Sequence, residues 1–226
     1  MGLLESFYDP TINAPYDERR PSQTTFSKIV WLFPIPESSR FNARAPPLDR
    51  DTRDAFLTRQ ELRDRMLQAW KRMMAFYGWN VVDDGEESTV VFNSASITPR
   101  DDFLLKAQET WLVRDNHNHM RISRMIRSMR ILGLYQQAQA MLNALIQANN
   151  AAGFVVKLAT TIIWFDTALR STRYPPVYPR EPICDWLRGV DYEDGTEHSE
   201  DHEEGESFRC DGREIEYSPE YSMLFP

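Results

Sequence analysis

The fold is decided by the stretch Asn116-His117-Asn118-His119-Met120-Arg121-Ile122-Ser123-Arg124-Met125-Ile126-Arg127-Ser128-Met129-Arg130, in which a polar cluster runs into a cationic segment. Successive residues of a helix advance by about 100° around its axis. Four apolar side chains therefore share one stripe at the i, i+3, i+4, i+7 spacing of a surface that faces a core: Ile122, Met125, Ile126 and Met129. The pattern predicts an amphipathic helix that ends at Gly133.

The arginines occupy the remaining arc of this helix. Arg121 and Arg130 flank the apolar stripe, whereas Arg124 and Arg127 point away from it, toward an anionic partner or a protein carboxylate. We predict that a recognition surface lies here, formed by His117, Asn118, His119, Arg121, Arg124 and Arg127. The alternative is a structural role, in which the arginines are neutralised inside the fold by carboxylates such as Asp101, Asp102 and Glu109.

The polar cluster also bears on metal binding and catalysis. On a helix, His117 and His119 lie about 200° apart, so they cannot bind one metal ion. We interpret Asp115 or Asn116 as the helix cap, with Asn118 and one histidine bonded to nearby backbone. An enzyme or metal protein using both histidines with Asp115 or Asp101 is the alternative. No phosphate-binding glycine loop and no nucleophile elbow is present, so we expect no catalysis and no cofactor.

Composition and charge fit one ordinary domain with an attached tail. The chain has 226 residues and a formal charge of −8. Nine of its 34 acidic residues lie between Asp191 and Glu206, a block without Lys or Arg that is typical of a solvated, disordered segment. Cys184 and Cys210 are far apart, which favours free thiols. With no signal peptide at the N-terminus, we expect an intracellular protein, nuclear or cytoplasmic.

The rest of the chain indicates an all-α fold, a multi-helix bundle with one small hairpin and irregular terminal arms. An apolar run from Lys28 ends near Phe33, because Pro34 and Pro36 follow. Asp49 or Asp51 caps a short helix, and Thr58 with Glu61 forms a capping box for a longer helix that ends at Gly78. The expected strands are 79–84 and 89–92.

Three more helices follow from the pattern. One starts at Thr98-Pro99 and carries Phe103 and Trp111, and another spans Leu134 to Asn150. The third, Phe154 to Leu169, is apolar on most of its circumference. Lys157 and Asp166 interrupt it, so we predict a central bundle helix and no transmembrane segment.

These observations divide the chain into four segments. We predict an N-terminal arm (1–23), a helical domain (24–190), the acidic segment (191–206) and a C-terminal tail (207–226) with enough apolar residues to dock.

Three blocks of the sequence resemble the conserved region of the opioid growth factor receptor family. The longest runs from His117 to Ser128 and continues through Leu132-Gly133-Leu134. Trp31-Leu32-Phe33-Pro34, with Asn42, Ala45, Pro47 and Leu48, is similar to a second conserved segment, and Met73-Met74-Ala75-Phe76-Tyr77-Gly78 to a third. Phe7-Tyr8-Asp9-Pro10 is similar to the start of some members. The resemblance covers roughly residues 7 to 169.

The resemblance implies an α-helical domain, and it implies no enzymatic activity. In named members it is associated with binding a short opioid peptide and restraining proliferation from a nuclear or perinuclear location. Ser123 and Met120 replace the usual threonine and leucine, the helix that normally precedes Trp31 is shortened, and the C-terminal repeats of animal receptors are absent. No ligand site is carried over. The expected partner is a peptide or protein, and the alternative is nucleic acid or phosphate bound by the 121–130 arginine helix.

Overall fold

The all-α prediction is confirmed by a computed structural model that describes residues 25–39, 44–81, 97–176, 183–188, 207–210 and 213–216. Seven α-helices lie in this part of the chain: α1 (Thr25–Leu32), α2 (Arg50–Thr58), α3 (Gln60–Phe76), α4 (Phe103–Thr110), α5 (Asn118–Ile131), α6 (Tyr135–Ala151) and α7 (Leu158–Leu169). A 3₁₀ turn spans Asp185–Leu187. None of the described helices is long and apolar enough to cross a membrane.

The strands form two antiparallel hairpins. β1 (Trp79–Val81) pairs with β2 (Ile97–Pro99), so that Trp79 lies opposite Pro99. β3 (Ser207–Cys210) pairs with β4 (Arg213–Glu216), with Ser207 opposite Glu216. The second hairpin falls within the predicted C-terminal tail, where the sequence analysis expected no strands.

The core is built around α5, which packs against both α6 and α7. The predicted apolar stripe is confirmed, because Ile122, Met125, Ile126 and Met129 are each 0% exposed. Most other residues of this helix are buried as well, including several polar ones. A stripe alone would leave the far side in solvent, so α5 is a central helix whose polar residues also need partners inside the protein.

Of the two predicted helix starts around α2 and α3, one is confirmed and the other is wrong. Asp49 caps α2 as expected, since its Oδ1 accepts a hydrogen bond from the Thr52 amide at 2.9 Å. The capping box is wrong: the Thr58 hydroxyl donates to the Asp54 carbonyl at 2.8 Å and so belongs to the end of α2. Glu61 instead pairs with Arg59 at 2.7 Å.

Gly78 ends α3 as predicted, with φ at +98°. A Cβ at this position would lie 3.0 Å from the Phe103 carbonyl oxygen, so both the backbone angle and the close approach of α4 require glycine.

The predicted helix start at Thr98-Pro99 is also wrong. Both residues lie in β2, and α4 begins at Phe103. Proline is tolerated there because a two-stranded ribbon has only edge strands. The first predicted strand is confirmed over Trp79–Val81, its observed partner is β2, and residues 89–92 lie outside the described residues.

The last long helix starts later than predicted, at Leu158 instead of Phe154. Gly153 and Phe154 both have positive φ, at 78° and 60°, which ends α6 and turns the chain before α7. The Asn149 side chain then accepts a hydrogen bond from the Val156 amide at 2.9 Å. The predicted arm 1–23 and acidic segment 191–206 lie outside the described residues.

Candidate functional site

The polar cluster before α5 fixes the start of this helix. The Asn116 side chain accepts a hydrogen bond from the Asn118 amide at 2.9 Å. Asn118 Nδ2 donates to the Thr110 carbonyl at 2.8 Å, which ties α5 to the end of α4. The predicted bond from Asn118 to nearby backbone is therefore confirmed. Asn116 binds the first amide of α5, although the residue at the N-cap position is His117, whose side chain makes no capping hydrogen bond.

The His119 side chain also binds a nearby backbone carbonyl. Its Nε2 lies 2.8 Å from the Trp111 carbonyl oxygen, and its ring meets Trp164 edge-on with centroids 5.6 Å apart. A carbonyl can only accept, so Nε2 carries the proton and the ring is neutral when Nδ1 is unprotonated. Burial lowers the pKa of His119, against the smaller opposing effects of the Trp111 carbonyl and of Asp115. A neutral ring is the form that fits this site.

The His117 and His119 side chains do not lie at one site. His117 is exposed, whereas His119 is 5% exposed and faces the aromatic core. Within the part of the chain that the structure describes, no three His, Cys, Asp or Glu side chains are grouped as a metal site would need.

Arg127 lies in the interior, 1% exposed. Its Nη1 donates to Glu37 Oε2 at 2.5 Å, and its Nε donates to the Thr172 carbonyl at 3.0 Å. Glu37 belongs to the turn after α1, and Thr172 follows α7. One guanidinium therefore joins two irregular segments that are distant in sequence.

Neighbouring polar residues of α5 bind the same two segments. Arg124 Nε donates to the Phe33 carbonyl at 2.7 Å, and the Ser128 hydroxyl donates to the Pro34 carbonyl at 2.7 Å. Arg130 Nη1 donates to the carbonyls of Thr167 and Arg170 at 2.9 and 2.6 Å. These carbonyls lie at helix ends or in proline-rich turns, where no intrahelical donor is available.

The structure places most residues of the predicted recognition surface inside the fold. Arg127, Asn118 and His119 are buried, and Arg124 is half-buried against the Phe33 carbonyl. The internal carboxylate is Glu37, a residue that the sequence analysis did not consider. Two of the acidic residues that were predicted to neutralise the arginines have other partners. Asp102 pairs with Arg100 at 3.2 Å, and Glu109 pairs with Lys106 at 3.9 Å. Ligand binding by the six residues stays a prediction, and their geometry favours the structural role.

The most exposed part of α5 is its start. His117 and Met120 are exposed, and Arg121 is half-buried, with Nη1 donating to Asn118 Oδ1 at 2.8 Å. Burial lowers the pKa of Arg121, although the nearby Tyr77 raises it.

An exposed apolar surface that was not predicted from the sequence lies near the start of α5, where Lys157 Nζ pairs with Asp115 Oδ1 at 2.7 Å. Phe154, Val155 and Leu158 are 65%, 41% and 52% exposed, at the turn between α6 and α7. The signal was present in the sequence, because no charged residue occurs from Ile131 to Val156.

These features define a helical domain whose arginine-rich α5 segment donates hydrogen bonds to other segments inside the fold. The chain belongs to the opioid growth factor receptor family, since the conserved region of that family matches residues 12–171. It is 33% identical over 108 residues to the opioid growth factor receptor of Rattus norvegicus and 32% identical over 108 residues to that of Mus musculus. The human receptor is 30% identical over 109 residues.

Each match covers 48% of this chain and only 17%, 15% and 14% of the rat, mouse and human receptors. No solved structure matches the fold significantly.

The blocks that carry the family resemblance meet in the core. The second block supplies the Phe33 and Pro34 carbonyls bound by Arg124 and Ser128 of the first. The Tyr77 carbonyl of the third accepts the Trp111 indole N–H at 3.1 Å. The resemblance therefore falls on residues that hold the domain together.

Proposed function

We propose that this chain is a non-enzymatic recognition domain that binds a peptide or protein partner. Membership of the opioid growth factor receptor family carries this proposal, because the related proteins from rat, mouse and human are named as receptors. The burial of His119 and the internal bonds of the α5 arginines add support, since they leave little basis for a catalytic or metal site there.

The nucleic-acid alternative is less well supported. Phosphate binding needs cationic groups that can reach the nucleic-acid backbone. Arg127 is 1% exposed and Arg130 is 8% exposed, and both guanidinium groups donate to protein oxygens. The 121–130 helix therefore supplies few of the contacts that this alternative requires. The intracellular location remains a prediction.

The names of the relatives indicate the first ligand to test, which is opioid growth factor. Isothermal titration of this chain with that peptide should show saturable heat, and a peptide of the same composition in scrambled order should show none. The matching conserved region of the rat receptor is the reference domain. Binding to the reference with no heat from this chain would reject a shared ligand.

The salt dependence of any binding separates the peptide and phosphate alternatives. Peptide binding through uncharged contacts should change little between about 50 and 200 mM salt, whereas phosphate binding by several arginines would weaken by orders of magnitude. A steep loss of affinity for a single-stranded oligonucleotide would favour the nucleic-acid alternative over our proposal.

A further inference from the structure

A short segment that follows the family's conserved region is docked on the helical bundle. The conserved region matches residues 12–171, and the docked segment, which we call the strap, is residues 183–188. Its Leu187 side chain is 0% exposed and belongs to the hydrophobic core. The other buried residues of this core, as far as the structure describes it, lie between Ile29 and Ala168. Leu187 therefore fills a socket that the conserved region forms.

The described polar contacts between the strap and the bundle lie mostly near the surface. The Cys184 amide donates to the Arg173 carbonyl at 2.8 Å, and Arg50 Nη2 donates to the Trp186 carbonyl at 3.3 Å. Asp185, whose side chain is 84% exposed, lies 4.0 Å from Arg173 Nη2. An exposed pair at this distance contributes little. The strap is thus held mainly by its one fully buried side chain, as a bound peptide is held by an anchor residue.

The socket also contains polar atoms that the fold leaves unused. The charges of Glu37 and Arg127 act on the Cys184 thiol, so this ion pair lies beside the strap. Glu37 Oε1 and Arg127 Nη2 are buried and have no hydrogen-bond partner among the described residues. An apolar socket with a few polar groups, here one acceptor and one donor, is the usual composition of a ligand site.

We propose that this socket is the peptide-recognition site of the domain and that the strap is an intramolecular ligand, which a partner displaces. This assignment rests on the recognition function proposed above. The strap itself indicates the chemistry of the partner. Trp186 and Leu187 lie in a single 3₁₀ turn, with Trp186 half-buried against the core. The partner is therefore a short peptide that presents an aromatic residue followed by a bulky aliphatic residue in one turn.

The tether explains why the strap is the default occupant. Residues 174–183 join the strap to the bundle. A short tether gives a ligand an effective concentration on the order of millimolar. A free peptide with the same contacts must compete with this local concentration, so it binds weakly while the strap is docked. A weaker strap should make the socket available to such a peptide.

Alkylation of Cys184 by iodoacetamide, in full chains that all carry Cys210→Ser, measures release of the strap. The thiolate is the reactive form, and burial in the docked strap raises the pKa of Cys184. Leu187→Ala should react about tenfold faster because the anchor is lost. Arg50→Ala should react about twofold faster because one exposed hydrogen bond is lost. Leu145→Ala is the matched control, since Leu145 is 0% exposed on α6 and its loss weakens the fold as a whole.

Fluorescence anisotropy of a labelled peptide tests the socket directly. The peptide has the sequence of residues 183–188 with Cys184→Ser. It should bind full-length Leu187→Ala about tenfold more tightly than wild type, because the tethered strap competes less. The same peptide with Leu187→Asp should not bind. If Leu187→Ala does not fold, Arg50→Ala gives the same comparison with a smaller difference.

Two results overturn the proposal. The first is an alkylation rate that is the same in wild type, Leu187→Ala and Arg50→Ala, or that rises as much in Leu145→Ala as in Leu187→Ala, since opening would then be global. The second is a strap peptide that binds wild type and Leu187→Ala equally, or binds neither.

Opioid growth factor separates this proposal from the receptor function. If it binds wild type and Leu187→Ala with equal affinity, the recognition function stands and the socket is not its site. If it binds neither chain while the strap peptide prefers Leu187→Ala, the socket stands as a peptide site and the shared ligand is rejected.

Discussion

Glu37 Oε2 and Arg127 Nη1 lie 2.5 Å apart in an ion pair whose arginine side chain is 1% exposed and whose glutamate is 11% exposed. Two other atoms of the pair, Glu37 Oε1 and Arg127 Nη2, are buried without a hydrogen-bond partner among the described residues. The pair joins the turn after α1 to the centre of the bundle. Removing either charge would leave the other uncompensated in the interior.

Replacement of Glu37 by alanine should therefore destabilise the domain by roughly 3–5 kcal/mol, the usual cost of breaking a buried ion pair. Glu61→Ala is the control, because it removes the exposed pair with Arg59, and its effect should be under about 1 kcal/mol. Urea unfolding followed by circular dichroism measures both. Equal midpoints for the two variants would contradict a structural role for the buried pair.

The same reasoning applies to the arginines together. The triple variant Arg121→Ala, Arg124→Ala and Arg127→Ala should fail to fold, because carbonyls of the turn after α1 and the Glu37 carboxylate lose their donors. A folded triple variant with weakened partner binding would instead restore the surface prediction made from the sequence.

Acidification should weaken the fold through His119. Its pKa is lowered in the folded state, chiefly by burial, so the unfolded chain takes up the proton first. Stability is fully present above the unfolded-state pKa of about 6.5 and falls as the pH drops toward the folded-state pKa. In His119→Gln, the amide can donate to the Trp111 carbonyl without titrating, so the melting temperature should change less between pH 8 and pH 5.

His117→Gln is the matched control for this titration. His117 is exposed at the start of α5, so the variant should keep the wild-type dependence of melting temperature on pH. If His119→Gln and wild type lose the same number of degrees on acidification, another group controls the transition.

Tyr77 should tolerate loss of its hydroxyl. The side chain is 0% exposed, and its Oη has no hydrogen-bond partner among the described residues. Burial raises the pKa of Tyr77, so the phenol stays neutral. Tyr77→Phe should thus change the free energy of unfolding by under about 1 kcal/mol or stabilise the fold.

Trp111→Phe is the comparison for this variant. It removes the N–H that donates to the Tyr77 carbonyl and leaves a cavity, so it should cost about 2 kcal/mol or more. A larger loss in Tyr77→Phe than in Trp111→Phe, measured by urea unfolding, would show that the hydroxyl has a partner that contributes to stability.

Much of the architecture was predictable because local patterns determine helices. The spacing of Ile122, Met125, Ile126 and Met129 identified α5, and glycine marked the ends of α3 and α5. A local sequence signal was less reliable where it fits two kinds of secondary structure. Thr98-Pro99 resembles a helix start, but pairing with Trp79 and Asn80 places both residues in a strand.

The candidate site was less predictable because partners distant in sequence decide it. Arg127 on a helical wheel points away from the apolar stripe, which normally means solvent. In this fold, the turn after α1 and the segment after α7 cover that side and supply Glu37 and the Thr172 carbonyl. Helical periodicity contains no information about either segment.

The sequence by itself determined the all-α class, the family, the helix that forms the core and the polar cluster at Asn116 and Asn118 that binds backbone at the start of this helix. All of these depend on contacts within a few residues or on recognisable sequence blocks. Only the tertiary structure decided that Arg127 and Arg130 are internal and that the uncharged side of α6 and the Phe154 turn face outward. Burial is a property of how helices pack against one another, and the free energy of a charged side chain depends on whether packing brings a carboxylate or water to it.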